Sequence, residues 1–147
     1  MKKTILTSWM LFVICITSAF AHGQATVSEK ILSAFKKDFA EAKYEEWTNH
    51  GEWSEVRFVF SGIATLAYYS DEGEFWGSER YIMYNQLPLP VIREFAKKYP
   101  ETAVLSVSEV VMPNGTHYTI WLETDKAKIK ISAAPYGALS VEEKLKK

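Results

Sequence analysis

The chain has 147 residues, with 17 Lys and Arg against 18 Asp and Glu, and a single cysteine. The near-balance of charge removes the basic excess that nucleic-acid binding needs. One cysteine excludes an internal disulfide framework, so packing must hold the fold.

The first residues, "MKKTILTSWMLFVICITSAFA", carry Lys2 and Lys3, then an apolar run from Ile5 to Phe20, and close on Ala19-Phe20-Ala21. This is the pattern of a secretory signal peptide over residues 1–21, cut after Ala21. Thr7, Ser8, Thr17 and Ser18 interrupt the run and no basic stop-transfer cluster follows, which argues against a membrane anchor. Ile14 is branched where a lipoprotein signal at Cys15 needs a small residue. The expectation is export to the periplasm or beyond, with no stable membrane insertion after cleavage. Without Lys2 and Lys3 the remaining chain has 15 basic against 18 acidic residues, and Cys15 leaves with the leader.

"TVSEKILSAFKKDF" opens a helix. Thr26 with Glu29 has capping-box spacing, Ser28 is an alternative cap, and Ile31, Leu32, Phe35 and Phe39 share one face. "WSEVRFVF" then alternates, with Val56, Phe58 and Phe60 on one side and Trp53, Glu55, Arg57 and Val59 on the other. "IATLAYY" is a further strand, turning at Ser70-Asp71-Glu72-Gly73, and a last strand runs from about Glu74 to Met83. The order recurs after "NQLPLP". Pro90 opens a helix that carries Val91, Ile92, Phe95 and Tyr99 and stops at Pro100. Pro113-Asn114-Gly115 turns into "HYTIWLE", where Tyr118, Ile120 and Leu122 oppose His117, Thr119, Trp121 and Glu123. "AKIKISA" follows with Ile129 and Ile131 inward, then a strand near Ala138 to Glu142 and a charged tail expected to fray. Most of Tyr44, Trp47, Phe75 and Trp76 are expected in the core.

The expected class is therefore α+β: a tandem repeat of a helix plus about four antiparallel strands, over residues 22–85 and 86–147. Both helices pack on one face of a continuous antiparallel sheet, and the two units form one compact domain. The other sheet face is then open, as antiparallel sheets allow.

In the first half Phe35, Lys37, Phe39, Ala42, Trp47, Asp71 and Gly73 carry a family pattern; in the second Leu89-Pro90, Lys97, Lys98, Tyr99, Pro100 and Asn114-Gly115 carry it. In these the chain resembles the bacterial PepSY-like secreted proteins, which share a β-lactamase-inhibitor-protein-like fold. The resemblance implies tandem helix-plus-four-strand units, export and no established catalytic activity. It also implies relatives by fold that inhibit proteins, within a wider group linked to peptidase propeptides. The chain departs from the pattern at Ala40, which stands where it has Pro, at Val107, which matches Trp47, and at "AAPYG", which replaces the acidic turn.

Catalytic and metal chemistry find little support. His22, His50 and His117 have no metal-ligand spacing, so no metal or other cofactor is expected. Asp71, Glu72 and Glu74, and Glu45 with Glu46, sit at turns and strand edges rather than across a cleft. No G-x-S-x-G or P-loop pattern occurs. The candidate site is the open face, with Trp53, Glu55, Arg57, His117, Thr119 and Trp121, because Trp and Arg are enriched where proteins bind. The expected function is a non-enzymatic module that engages a protein or peptide through that face, as an inhibitor in one version. The alternative is a small-molecule carrier or envelope sensor with a pocket between helices and sheet, lined by Met83, Met112, Tyr68 and Phe75.

Overall fold

The computed structural model describes residues 26–147, so the signal peptide over residues 1–21 and its cut after Ala21 lie outside the described residues. Helix α1 spans Glu29–Asp38 and α2 spans Leu89–Lys98. Ser28, not Thr26, caps α1: its hydroxyl accepts from the Ile31 N–H. Pro90 sits in the first turn of α2, where its missing donor has no partner to lose. A helix of this length is marginal alone in water, so its packed face supplies the stability.

Strands β1 (Lys43–Asn49), β2 (Trp53–Phe60), β3 (Ile63–Ser70) and β4 (Phe75–Ile82) follow α1. A 3-10 turn at Tyr84–Gln86 and α2 lead to β5 (Ala103–Met112), β6 (Gly115–Glu123), β7 (Ala127–Ala133) and β8 (Leu139–Lys146). All eight lie in one sheet in chain order, each antiparallel to its neighbour.

This corrects the expected class. Among the described residues the protein is mostly β, one eight-stranded antiparallel sheet with two ten-residue helices, not a tandem repeat of helix-plus-sheet units. The reason lies at the middle strands. β4 and β5 pair from Ser78↔Val111 to Ile82↔Val107, so all eight strands share one ladder and neither half has a sheet of its own. Two further differences are at the sheet edges. Residues 43–49 form a strand that the charged "KYEEWTN" does not announce, and the tail expected to fray pairs with β7 as far as Lys146.

Both helices cover the same face. Ile31 and Phe35 pack on Val56, Phe58, Ala67 and Tyr69, while Val91 and Phe95 pack on Val107, Ile120, Leu122 and Ile131. Phe35 meets Phe58 edge-on with ring centroids 4.9 Å apart and Trp47 at 5.2 Å. Each such pair adds about 0.5–1.5 kcal/mol beyond area burial. Tyr69 is fully buried, and its hydroxyl donates to Asp38 Oδ2 at 3.0 Å. Trp47 and Phe75 join this core, but Tyr44 is 82% exposed and Trp76 47% exposed, which corrects the core placement expected for them.

Two turns press against the helices. A Cβ on Gly73 would meet the Lys30 carbonyl oxygen at 3.1 Å, and one on Gly137 would meet that of Pro90 at 2.9 Å. Both glycines also have positive φ, so each turn needs the bare backbone for two separate reasons.

Candidate binding face

The opposite face carries neither helix. Register partners of an antiparallel pair point to the same side, so the ladder identifies what lies there. One row crosses six strands: Glu46, Arg57, Leu66, Glu79, Val110 and His117 are successive partners from β1 to β6. A second row runs from Tyr81 through Ser108, Thr119 and Ser132 to Ser140.

All six residues expected at the site fall on this face, in two groups separated by three strands. Trp53, Glu55 and Arg57 come from β2, and His117, Thr119 and Trp121 from β6. Arg57 and His117 share a row. Trp53 lies four residues before that row and Trp121 four after it, on strands of the same direction. At 3.4 Å per residue and about 4.8 Å between strands, the two tryptophans are roughly 30 Å apart. They stand at opposite corners and make no common patch. Thr119 is 6% exposed, with no buried side-chain polar atom left without a partner among the described residues. It floors the face rather than presenting a contact. Trp121 stands opposite Lys130, which pairs with Glu142 at 3.1 Å.

The residues that gather around Trp53 come instead from β3, β4 and β5. The Tyr68 ring lies 6.0 Å from that of Trp53, inclined by 51°. His50, in the β1–β2 turn, stacks on Trp53 at 3.8 Å. Trp76, Glu79, Val110 and Met112 complete a cleft of about 340 Å³ over Gly77. Burial pushes the Tyr68 hydroxyl above its ordinary value; the Glu55 and Glu79 carboxylates push the same way and Arg57 opposes them.

A bulge builds this cleft. Tyr68 pairs with Gly77 but Tyr69 pairs with Phe75, leaving Trp76 as the extra residue of β4. Phe75 therefore enters the core beside Tyr69, while Trp76 and Gly77 both lie toward the open side. Simple alternation misses Trp76 for this reason. The signal that marks it is the glycine inside "FWGSERYI", since glycine within a strand often accompanies a bulge.

The pocket expected between helices and sheet does not gather the residues named for it. Tyr68 and Met112 are on the open face, Met83 is largely exposed, and Phe75 alone borders a cleft on the helix side. That cleft, about 380 Å³, lies beside the Arg80–Glu109 pair, whose Nε and Oε2 are 2.6 Å apart. Among the described residues no three His, Cys, Asp or Glu side chains converge on a metal position, and no helix is long and apolar enough to cross a membrane.

No family model matches the chain, and no curated protein does. Solved structures do. A BLIP-like protein from Bacteroides fragilis superposes with a TM-score of 0.77 at 20% identity, over 85% of this chain and 91% of that one. A Bacteroides eggerthii protein, assigned to the periplasm by inference, gives 0.71 at 19% identity, over 82% and 89%. A DUF2874 family protein from Bacteroides uniformis gives 0.74 at 17%, over 81% and 90%. At these identities the likeness concerns the fold, and the fold of this chain is the BLIP-like one.

Proposed function

We propose that this is an exported, non-enzymatic binding protein that engages a protein or peptide through the open face of its sheet. The observation that carries the reading is a sheet face that no helix covers among the described residues, crossed by the row from Glu46 to His117 and bearing Trp53, Tyr68, Trp76, Tyr81 and Trp121. Broad faces with aromatic and arginine side chains are where hot spots concentrate. Export rests on the leader sequence, and the inferred periplasmic name of one structural neighbour agrees with it. The PepSY-like kinship belongs to the same proposal, on the residues quoted for it. Inhibition of a partner is the version favoured by the BLIP-like neighbour's name.

The test is chemical cross-linking in the native periplasmic or extracellular fraction, followed by capture. Trp53→Ala and Arg57→Ala are each expected to weaken capture of one defined partner, and Trp121→Ala, at the opposite corner of the face, to weaken it less. A partner held equally by all three variants and the parent would overturn the surface assignment.

A second reading, a small-molecule carrier, is favoured by the helix-side cleft next to Arg80 and Glu109. A thermal-shift screen separates the two: stabilisation by a small apolar ligand, lost in Phe39→Ser but kept in Trp53→Ala, selects the carrier.

A further inference from the structure

We propose that the cleft walled by Trp53, Tyr68 and Trp76 binds a small quaternary ammonium compound, a free molecule bearing a trimethylammonium group. The cleft lies within the face proposed above for a macromolecular partner, and its own occupancy is tested without that partner.

Three aromatic residues line one cleft together with a glycine. Trp53 begins β2, Tyr68 comes from β3, and the bulge delivers Trp76 from β4. Trp53 and Tyr68 are tilted rather than stacked on each other, and His50 already covers one side of the Trp53 ring. The negative faces of aromatic rings attract a cation within about 6 Å of their centroids, Trp most strongly. Gly77 contributes no side chain to fill the floor between them.

The charge around the cleft complements a cation. Glu79 lines it, and no lysine or arginine does. Glu55 is the register partner of Tyr68. At the Tyr68 hydroxyl the Glu55 and Glu79 carboxylates both favour the neutral form, against Arg57. Arg57 lies one row from Tyr68 and shares the row of Glu79, with Leu66 between them.

The walls choose the kind of cation. A primary ammonium brings three N–H donors that all need acceptors. Trp76, Gly77, Val110 and Met112 offer carbon, ring and thioether surface; Ser78 also borders the cleft, but it is the register partner of Ala67 and borders the helix-side cleft as well. A trimethylammonium group has no donor to satisfy. It can shed water against such walls and keep its charge beside Glu79. The volume is at the small end of the range for ligand pockets, which suits a head group rather than an extended chain.

The experiment is an NMR titration of the purified protein with choline chloride, against sodium chloride at equal ionic strength, reading the indole N–H signals. The Trp53 and Trp76 signals are expected to shift saturably while Trp47 and Trp121 stay in place. The uncharged isostere 3,3-dimethylbutan-1-ol is expected to bind about tenfold more weakly, because the cation–π and carboxylate attraction are gone. Glu79→Gln should weaken choline about threefold and leave the isostere unchanged, and Trp76→Ala should remove the saturable response. Absence of a saturable shift, or equal binding of choline and its isostere, would overturn the proposal. So would sedimentation with phosphatidylcholine vesicles in a protein that ignores free choline, since the occupant would then be a lipid surface. If a variant loses its fold, the comparison of choline with its isostere in the parent protein decides. Failure here leaves the macromolecular reading standing, because that is read from cross-linking.

Discussion

Trp76 and Gly77 are consecutive in β4 yet lie toward the same side of the sheet, because Tyr69 pairs with Phe75 and Tyr68 with Gly77. The extra residue between those pairs is the wall of the cleft. Deleting Trp76 would make the two pairs consecutive and restore ordinary alternation, with Phe75 still facing Tyr69. The deletion variant is therefore expected to fold, with unfolding free energy in urea within about 2 kcal/mol of the parent. A variant that fails to fold would mean the bulge holds the sheet as well as the site.

Phe35 should behave in the opposite way. It is 1% exposed and its ring contacts Phe39, Trp47, Phe58 and Tyr69. Phe35→Ala is expected to cost about 3–5 kcal/mol by denaturant unfolding. Tyr81→Ala on the open face, where the side chain is 69% exposed, should stay within about 0.5 kcal/mol.

The turn glycines offer a controlled pair. Gly62 and Gly137 both have positive φ, but a Cβ on Gly62 meets open space whereas one on Gly137 meets the Pro90 carbonyl. Gly62→Ala should cost about 1 kcal/mol for backbone strain alone. Gly137→Ala adds a steric clash and should lower the melting temperature clearly further. Equal losses would show that the turn yields without disturbing α2.

Alkaline pH should destabilise the protein. Burial pushes the Tyr69 hydroxyl well above its ordinary value of 10.0, with the Asp38 charge and its hydrogen bond adding to the effect. Tyr68, Tyr84 and Tyr118 are also raised, in each case chiefly by burial. A hydroxyl held up in the folded state gives stability that is whole below the unfolded value and lost as pH rises past it. Melting temperature should therefore fall steeply above about pH 10. Tyr69→Phe should be less stable at neutral pH, where the bond to Asp38 is lost, and should show a shallower alkaline fall. An unchanged slope would remove Tyr69 from that account.

The alternation of "WSEVRFVF" and "AKIKISA" is legible because one face of each strand is sealed by a helix: Val56 and Phe58 are buried while Arg57 is exposed. β1 and β8 are edge strands with nearly every side chain in water, so neither shows a periodic pattern. Backbone pairing to β2 and β7 holds them. The class is harder to read because the two clear helical stripes cover ten residues each, while the charged edge strands that add to the sheet carry no pattern. At the site, the faces of Trp53 and Trp121 follow from their own strands. Their separation depends on register across four strand pairs, which no single strand encodes. Trp76 was out of reach of period-two reading because the bulge resets the phase.

On the proposed function the open face, its Trp53–Tyr68–Trp76 corner in particular, is where a protein or peptide docks. Hydroxyl-radical footprinting of the cross-link-defined complex measures this residue by residue. Protection of Trp53, Tyr68, Trp76 and Met112, with Tyr136 and Leu89 on the helix side as reactive as in the free protein, is the expected result. Protection confined to Tyr136, Leu89 and Tyr44, with the cleft residues fully reactive, would contradict it.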